Sequence, residues 1–321
     1  MELSFLTPPA ALVGLAAAVA LAVLFLAERR SRRLAAAIGL LPRGPASGLG
    51  AALALALVGV LVALAAAQPV VSSISPREGR LDAEAIFVFD VSRSMLARRG
   101  RTGETRFARA RRAAKELRAG IPAVPAGVAS LTDRVLPHLF PTPSANVFTA
   151  TLDRSLGIQR PPPDRSGRGR ATALGALSAL ATQNFYGAEA RRRVAVVLTD
   201  GESLETDLGT LRARLLGGRV VPIFVRLWAE DERIYGPGGV SERGYRPDPE
   251  SRAALLAVAD AGEGRVFEEE QLGRALTAIQ AVLGEGPTGL RGEELQSREL
   301  APYALAAAFA PLLFLIWRRN V

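Results

Sequence analysis

The sequence contains no cysteine, one histidine, two methionines and two tryptophans. Without cysteine there is no disulfide, no thiolate nucleophile and no zinc–cysteine site, so stability in any compartment rests on the packed core. The single histidine, His138, falls in a strand-like run with no partner motif and reads as structural. Lysine is almost missing as well: Lys115 is the only one, and arginine carries the formal net charge of +9. These arginines are scattered, with no aromatic-interleaved basic face of the kind that single-strand binders use, so no nucleic-acid partner is expected. The arginine bias reads instead as codon composition and juxtamembrane anchoring. There is no internal repeat and no phosphate-cradling GxxxxGK[ST] loop.

Three strongly apolar stretches, residues 10–27, 48–67 and 300–317, carry no charge. Each approaches the ~20 apolar residues a helix needs to cross a bilayer core. The plainer alternative is a buried helix of a soluble core. Pro311 lies within the third stretch, where a membrane helix tolerates it. A cleaved leader would need positive charge ahead of the first run. Here MELSFLTPP precedes it with only Glu2 charged, and Arg29, Arg30, Arg32 and Arg33 come after. With Arg43 ahead of the second run, the short loop between the first two is cytoplasmic by the positive-inside rule. Arg318 and Arg319 close the third run and agree. The expected layout is two transmembrane helices in 1–69 (about 8–27 and 48–67), a linker at 70–84, and one globular domain at 85–285. A second linker at 286–299, a transmembrane helix at 300–317 and a cytoplasmic tail at 318–321 complete it. Localisation is then a bacterial inner membrane, multi-pass, with the large domain outside the cytoplasm.

Between the linkers, short apolar runs alternate with helical patterns. AIFVF (85–89), RRVAVVL (192–198), VVPIFVRLW (220–228) and RVFE (265–268) read as strands. The spacing predicts helices over 104–120, 144–156, 171–185, 207–217, 249–262 and 270–284, with Phe107, Ala110, Ala114 and Leu117 on one face of the first. GVASL (127–131) and RVLPHLF (134–140) read as a hairpin. GIQRPPPDRSGRGR (157–170) is a loop, and IYGPGGVSERGYRP (234–247) is an irregular insertion read equally as partner contact or solvated loop. Strands alternating with helices predict an α/β fold, a doubly wound, mostly parallel sheet with one antiparallel edge strand, plus the three transmembrane helices.

In such a sheet ligands gather at the carboxyl ends of the strands. The first strand ends in Asp90-Val91-Ser92-Arg93-Ser94 and the second parallel one in Thr199-Asp200-Gly201, while Thr172 opens the predicted helix 171–185. Two carboxylates and three hydroxyls with no histidine or cysteine suit a hard divalent cation, Mg²⁺ or Mn²⁺. Spacing by two in an extended loop would turn Ser92 and Ser94 to one side. Taken singly, these residues have plainer readings as capping carboxylates, turn serines and an N-cap threonine.

Together, DVSRS, the threonine of RATALGAL and LTDG resemble the metal-ion-dependent adhesion site of von Willebrand factor type A domains. The resemblance implies Asp90, Ser92, Ser94, Thr172 and Asp200 as metal ligands and covers roughly residues 85–285, giving a von Willebrand factor A, Rossmann-like fold. With its flanking apolar helices the chain is also similar to BatA-type proteins of bacterial aerotolerance operons, which implies work beside a MoxR-type ATPase. In that family the cation is not a catalyst. It binds an Asp or Glu carboxylate of a partner protein, and its site is coupled to the last helix, here 270–284. Arg168 and Arg170 depart from the glycine-rich family pattern, which would place positive charge near the metal. The expected function is a membrane-anchored, metal-dependent protein-binding module and no enzyme. The alternatives are a tethered scaffold with a non-functional metal site and a Mg²⁺-dependent phosphatase-like enzyme. The last would need an acid–base Asp where Ser92 stands.

Overall fold

Residues 2–37, 46–160, 172–236 and 238–320 are described by the computed structural model. Arg43, Arg168 and Arg170, and most of the loop expected at 157–170, lie outside the described residues. The chain divides into two units, Met1–Ser75 with Glu293–Val321, and Pro76–Gly292.

The first unit contains strand β1 (Glu2–Phe5), a 3₁₀ turn at Pro8–Gly14, and helices α1 (Leu15–Ala37) and α2 (Ala46–Ala66). Strand β2 (Pro69–Arg80) begins here, pairing antiparallel with β1 from Phe5↔Pro69 to Glu2↔Ser72.

The second unit is built outward from β3 (Ala83–Asp90), in which every residue is buried. Successive side chains of a strand point to opposite faces, so a strand covered on both sides must be apolar throughout. Phe87 and Phe89 enter the core formed with α3 (Arg106–Ala119) and α4 (Ala145–Arg154), and Phe87 meets Phe148 edge-on at 5.0 Å. Ile86 and Val88 enter the core on the other face. Strands β4 (Ala126–Leu131) and β5 (Val135–Thr142) lie to one side of β3. On the other lie β6 (Arg192–Thr199), β7 (Val220–Arg226) and β8 (Arg265–Glu268). The order is β5-β4-β3-β6-β7-β8, and only the β4–β5 pair is antiparallel. The mostly parallel α/β sheet with an antiparallel edge is as the alternation predicts. Chain order reverses between β3 and β6, where Asp90 and Thr199 end neighbouring strands.

The expected helix over 171–185 is replaced by a 3₁₀ turn, Leu174–Ser178, and a four-residue helix α5 (Ala179–Thr182). The reason lies upstream. The Thr172 carbonyl accepts from Leu204 N–H at 2.8 Å and Ala173 N–H donates to the Thr132 carbonyl at 2.8 Å, so these backbone groups serve neighbouring segments rather than a helix. Beyond β6 come α6 (Leu208–Gly217), capped by Asp207, then α7 (Ser251–Ala261) and α8 (Leu272–Leu283).

The segments expected as linkers are strands, β2 at the front and β9 (Thr288–Glu299) at the back. Neither shows the apolar alternation of a half-buried strand; they pair through the backbone in the order β1-β2-β9, and polar side chains add to their hold. Arg80, 6% exposed, donates to the carbonyls of Gly284 and Leu283 at the end of α8, and Arg291 Nε donates to the Arg80 carbonyl at 3.0 Å. The chain closes with helix α9 (Ala301–Asn320). Where three spans are expected, one described stretch, Pro8–Ala27, is long and apolar enough to cross a membrane. The apolar parts of the other two helices, Gly50–Ala66 and Ala301–Trp317, are shorter. At 1.5 Å per residue each covers about 25 Å, less than a core of roughly 30 Å.

Candidate metal centre

Asp90 ends β3 with no exposure to solvent, and a buried carboxylate requires donors. Three groups supply them. Ser92 N–H donates to Oδ1 at 2.9 Å, Thr199 Oγ1 to Oδ2 at 2.6 Å, and Thr172 Oγ1 lies 3.0 Å from both oxygens. The Ser92 and Ser94 hydroxyls are 2.9 Å apart. They share a side, as the spacing suggests, but by another route. Ser92 is extended (φ −65°, ψ 164°) and leads into a 3₁₀ turn, Arg93–Leu96, that carries Ser94 back to it.

Thr172 is 1% exposed and is no N-cap; it forms a parallel bridge with Ser203, on the segment leaving β6. Asp200, also fully buried, follows Thr199 on that segment. Its Oδ1 accepts from Glu202 N–H at 3.0 Å and its Oδ2 from Arg106 Nη1 at 2.8 Å. Gly201 makes this turn possible. Its φ is +80°, and a Cβ there would lie 2.8 Å from the Ser251 carbonyl oxygen.

The charge pattern favours a cation at this edge. Burial, and then the charge of Asp200, push the Asp90 carboxyl up to about 7, against the hydrogen bonds from Thr199 and Ser92. A divalent ion would relieve both causes. Among the described residues no group of three or more His, Cys, Asp or Glu is placed to hold a metal. The donors here are two carboxylates and three hydroxyls, an all-oxygen set that fits a hard cation.

Several participants were not foreseen from sequence. Arg106, with no exposure, donates through Nε to Glu232 at 2.6 Å and through Nη1 to Asp200, Glu202 and Tyr245. Burial opposes its charge, yet Asp200, Tyr245 and Glu232 hold its pKa above the ordinary guanidinium value. The signal was legible. Arg106, Ala110, Ala113 and Leu117 fall at helical spacing on one stripe, and all are buried, so an arginine sat on the apolar face. Thr199 had a similar signal, a hydroxyl ending a fully buried strand run. Tyr245 lies in the irregular insertion and Glu232 just before it, and neither had one. Glu202 is shared by Arg106 and the Tyr245 hydroxyl, at 3.0 and 2.8 Å, and burial and Asp200 raise its pKa.

By sequence, the chain matches no protein-family model and no curated protein. By structure, it is similar to BatB from Bacteroides thetaiotaomicron, with 19% identity and a TM-score of 0.53 over 62% of this chain and 98% of that one. It is also similar to an aerotolerance-related membrane protein from Bacteroides fragilis NCTC 9343 bearing multiple mutations to serines, at 23% identity and a TM-score of 0.50. That match covers 63% of this chain and 98% of the other. A von Willebrand factor type A protein from Catenulispora acidiphila aligns at 17% identity and a TM-score of 0.42, over 68% and 50%. The chain shares the α/β fold of the two Bacteroides proteins. The reversal between β3 and β6 opens onto a cleft of about 330 Å³. Ser92, Ser94 and Thr172 line it, together with Glu242 and Tyr245 of the insertion and Asp248 just after it.

Proposed function

We propose that this chain is a membrane-anchored protein-binding module in which Asp90, Ser92, Ser94, Thr172 and Asp200 hold Mg²⁺ or Mn²⁺. The observation that carries the reading is the meeting of Thr172 with Asp90, 82 positions apart, beside the touching hydroxyls of Ser92 and Ser94. Once bound, the cation supplies an open coordination position for a partner carboxylate. The protein's own part is positional. Thr199 and the Ser92 amide orient Asp90, Arg106 and the Glu202 amide orient Asp200, and the buried β3 and β6 hold both at one edge. The reading is of capture, not catalysis: Ser92 stands where a phosphatase would need an acid–base Asp.

Anchoring is supported by apolar side chains left exposed on the helices of the first unit, among them Val19, Phe25, Leu53, Val60, Phe309, Leu313 and Trp317. Contiguous exposed apolar surface calls for a non-aqueous neighbour. We read α1, α2 and α9 as three spans of a bacterial inner membrane, with the type A domain at 85–285 outside the cytoplasm. The similarity to an aerotolerance-related membrane protein supports a place in a multi-component membrane system, and the BatA resemblance names a MoxR-type ATPase as its candidate companion.

The test is thermal unfolding of the detergent-solubilised full chain. Mg²⁺ or Mn²⁺ should raise the melting temperature, and the rise should vanish in Asp90→Ala and shrink in Thr172→Val. An equal rise in all three proteins would refute the assignment, and no rise in the wild type would leave the tethered-scaffold reading.

A further inference from the structure

The described residues of 229–250, a segment that holds the 234–247 insertion, form a wall of the cleft. Glu232, fully buried, accepts from Arg106 Nε and Arg109 Nη2, each at 2.6 Å, and from the Ala229 amide at 3.2 Å. Arg98 and Arg233 exchange both backbone hydrogen bonds at 3.0 Å. The Tyr245 hydroxyl bonds Glu202 and Arg106, each at 2.8 Å, and Asp248 N–H donates to Glu202 at 3.3 Å. An ion pair between Arg93 and Glu242 ties the wall to the loop carrying the two serines, and at 54% and 32% side-chain exposure this pair lies at the rim.

The wall's charge bears on what can enter. Glu202, Glu242 and Asp248 line the cleft, and Arg93 is the one cation among the lining residues. Arg93 is engaged by Glu242, whereas Asp248 makes no ion pair among the described residues, its Oδ1 accepting from the Glu250 amide at 2.9 Å. A carboxylate approaching Asp90 and Asp200 therefore passes like charges, which act mainly as a selectivity filter. A cation beside that carboxylate would cancel the repulsion.

We propose that this segment makes the cleft selective for a zwitterionic stretch of a partner, an Asp or Glu with an Arg or Lys next to it, whose cation is received by Asp248. This rests on the metal-dependent capture proposed above and specifies the partner it takes. The size agrees: about 330 Å³ is at the small end of binding sites, enough for neighbouring side chains rather than a large cofactor. The chain's overall charge of +9 argues the other way, since it would draw the most acidic segment. The two effects therefore predict opposite rankings.

The experiment uses the full chain in detergent, at physiological salt, with Mg²⁺ or with EDTA. Fluorescence anisotropy would follow three labelled peptides, identical except that the central Asp is flanked by Arg, by Gly or by Glu. The expected ranking in Mg²⁺ is Arg over Gly over Glu, with roughly tenfold between the first two. In Asp248→Asn the Arg preference should fall to within about twofold while Gly-flanked binding persists. Equal binding of the three peptides, a Glu preference, or an Arg preference that survives the substitution would overturn this inference and leave metal-dependent capture standing. Binding of none, or binding indifferent to EDTA, would overturn both.

Discussion

Complete burial of a guanidinium is tolerated only where carboxylates replace its water, and Arg106 has three of them, Asp200, Glu202 and Glu232. At this scale the domain's stability and its candidate site share an atom, because Arg106 Nη1 holds the same Asp200 that the site would use. Arg106→Met would leave Asp200 and Glu202 without their countercharge, while Glu232 kept Arg109, a loss of about 3–5 kcal/mol. Arg106→Lys should recover little, since an ammonium cannot reproduce the planar fork. Equilibrium unfolding of the solubilised chain is the measurement, and a loss below about 1 kcal/mol would show the network to be incidental. The candidate ligands were legible one residue at a time because each stands at a strand end or in a short motif. Arg106 was passed over within an otherwise ordinary amphipathic pattern, where only its position on the apolar stripe betrayed it.

Among the elements, the two central strands were plain from their apolar runs, while the segments between them were not. The failure of the 171–185 helix is instructive. Its sequence has helical spacing, but the backbone groups at 172 and 173 are engaged by Leu204 and Thr132, both remote in sequence. The same failure delivers Thr172 to Asp90. Strands β2 and β9 escaped notice for a related reason: backbone pairing in the β1-β2-β9 sheet and guanidinium–carbonyl contacts hold them, and neither leaves an apolar period in the sequence. Gly201 tests how tightly the turn after β6 is specified. Gly201→Ala combines a left-handed backbone with a clash against the Ser251 carbonyl. It should cost about 1–3 kcal/mol and, by displacing Asp200, diminish the Mg²⁺-induced rise in melting temperature. A variant as stable and as metal-responsive as the wild type would show that the turn has slack.

For the whole molecule the open question is orientation, and the cysteine-free sequence offers a direct way to ask it. Glu205 is exposed on the second unit, and Ser47 adjoins the arginine-bearing loop between α1 and α2. With single cysteines at these positions, a membrane-impermeant maleimide should label Glu205→Cys in intact spheroplasts and Ser47→Cys only after permeabilisation. The reverse pattern would invert the layout, and labelling of both in intact spheroplasts would remove the barrier between them.

By itself, the order of residues determined the kind of sheet, its central strands and the polar atoms at their ends. Those depend on side-chain period and on where an apolar run stops, both local properties. Only the tertiary structure decided that Thr172 faces Asp90, that a buried arginine stands behind Asp200, and that the insertion places an acidic wall across the cleft. Those are pairings between segments as much as 149 positions apart, as with Arg93 and Glu242, and no local pattern records them.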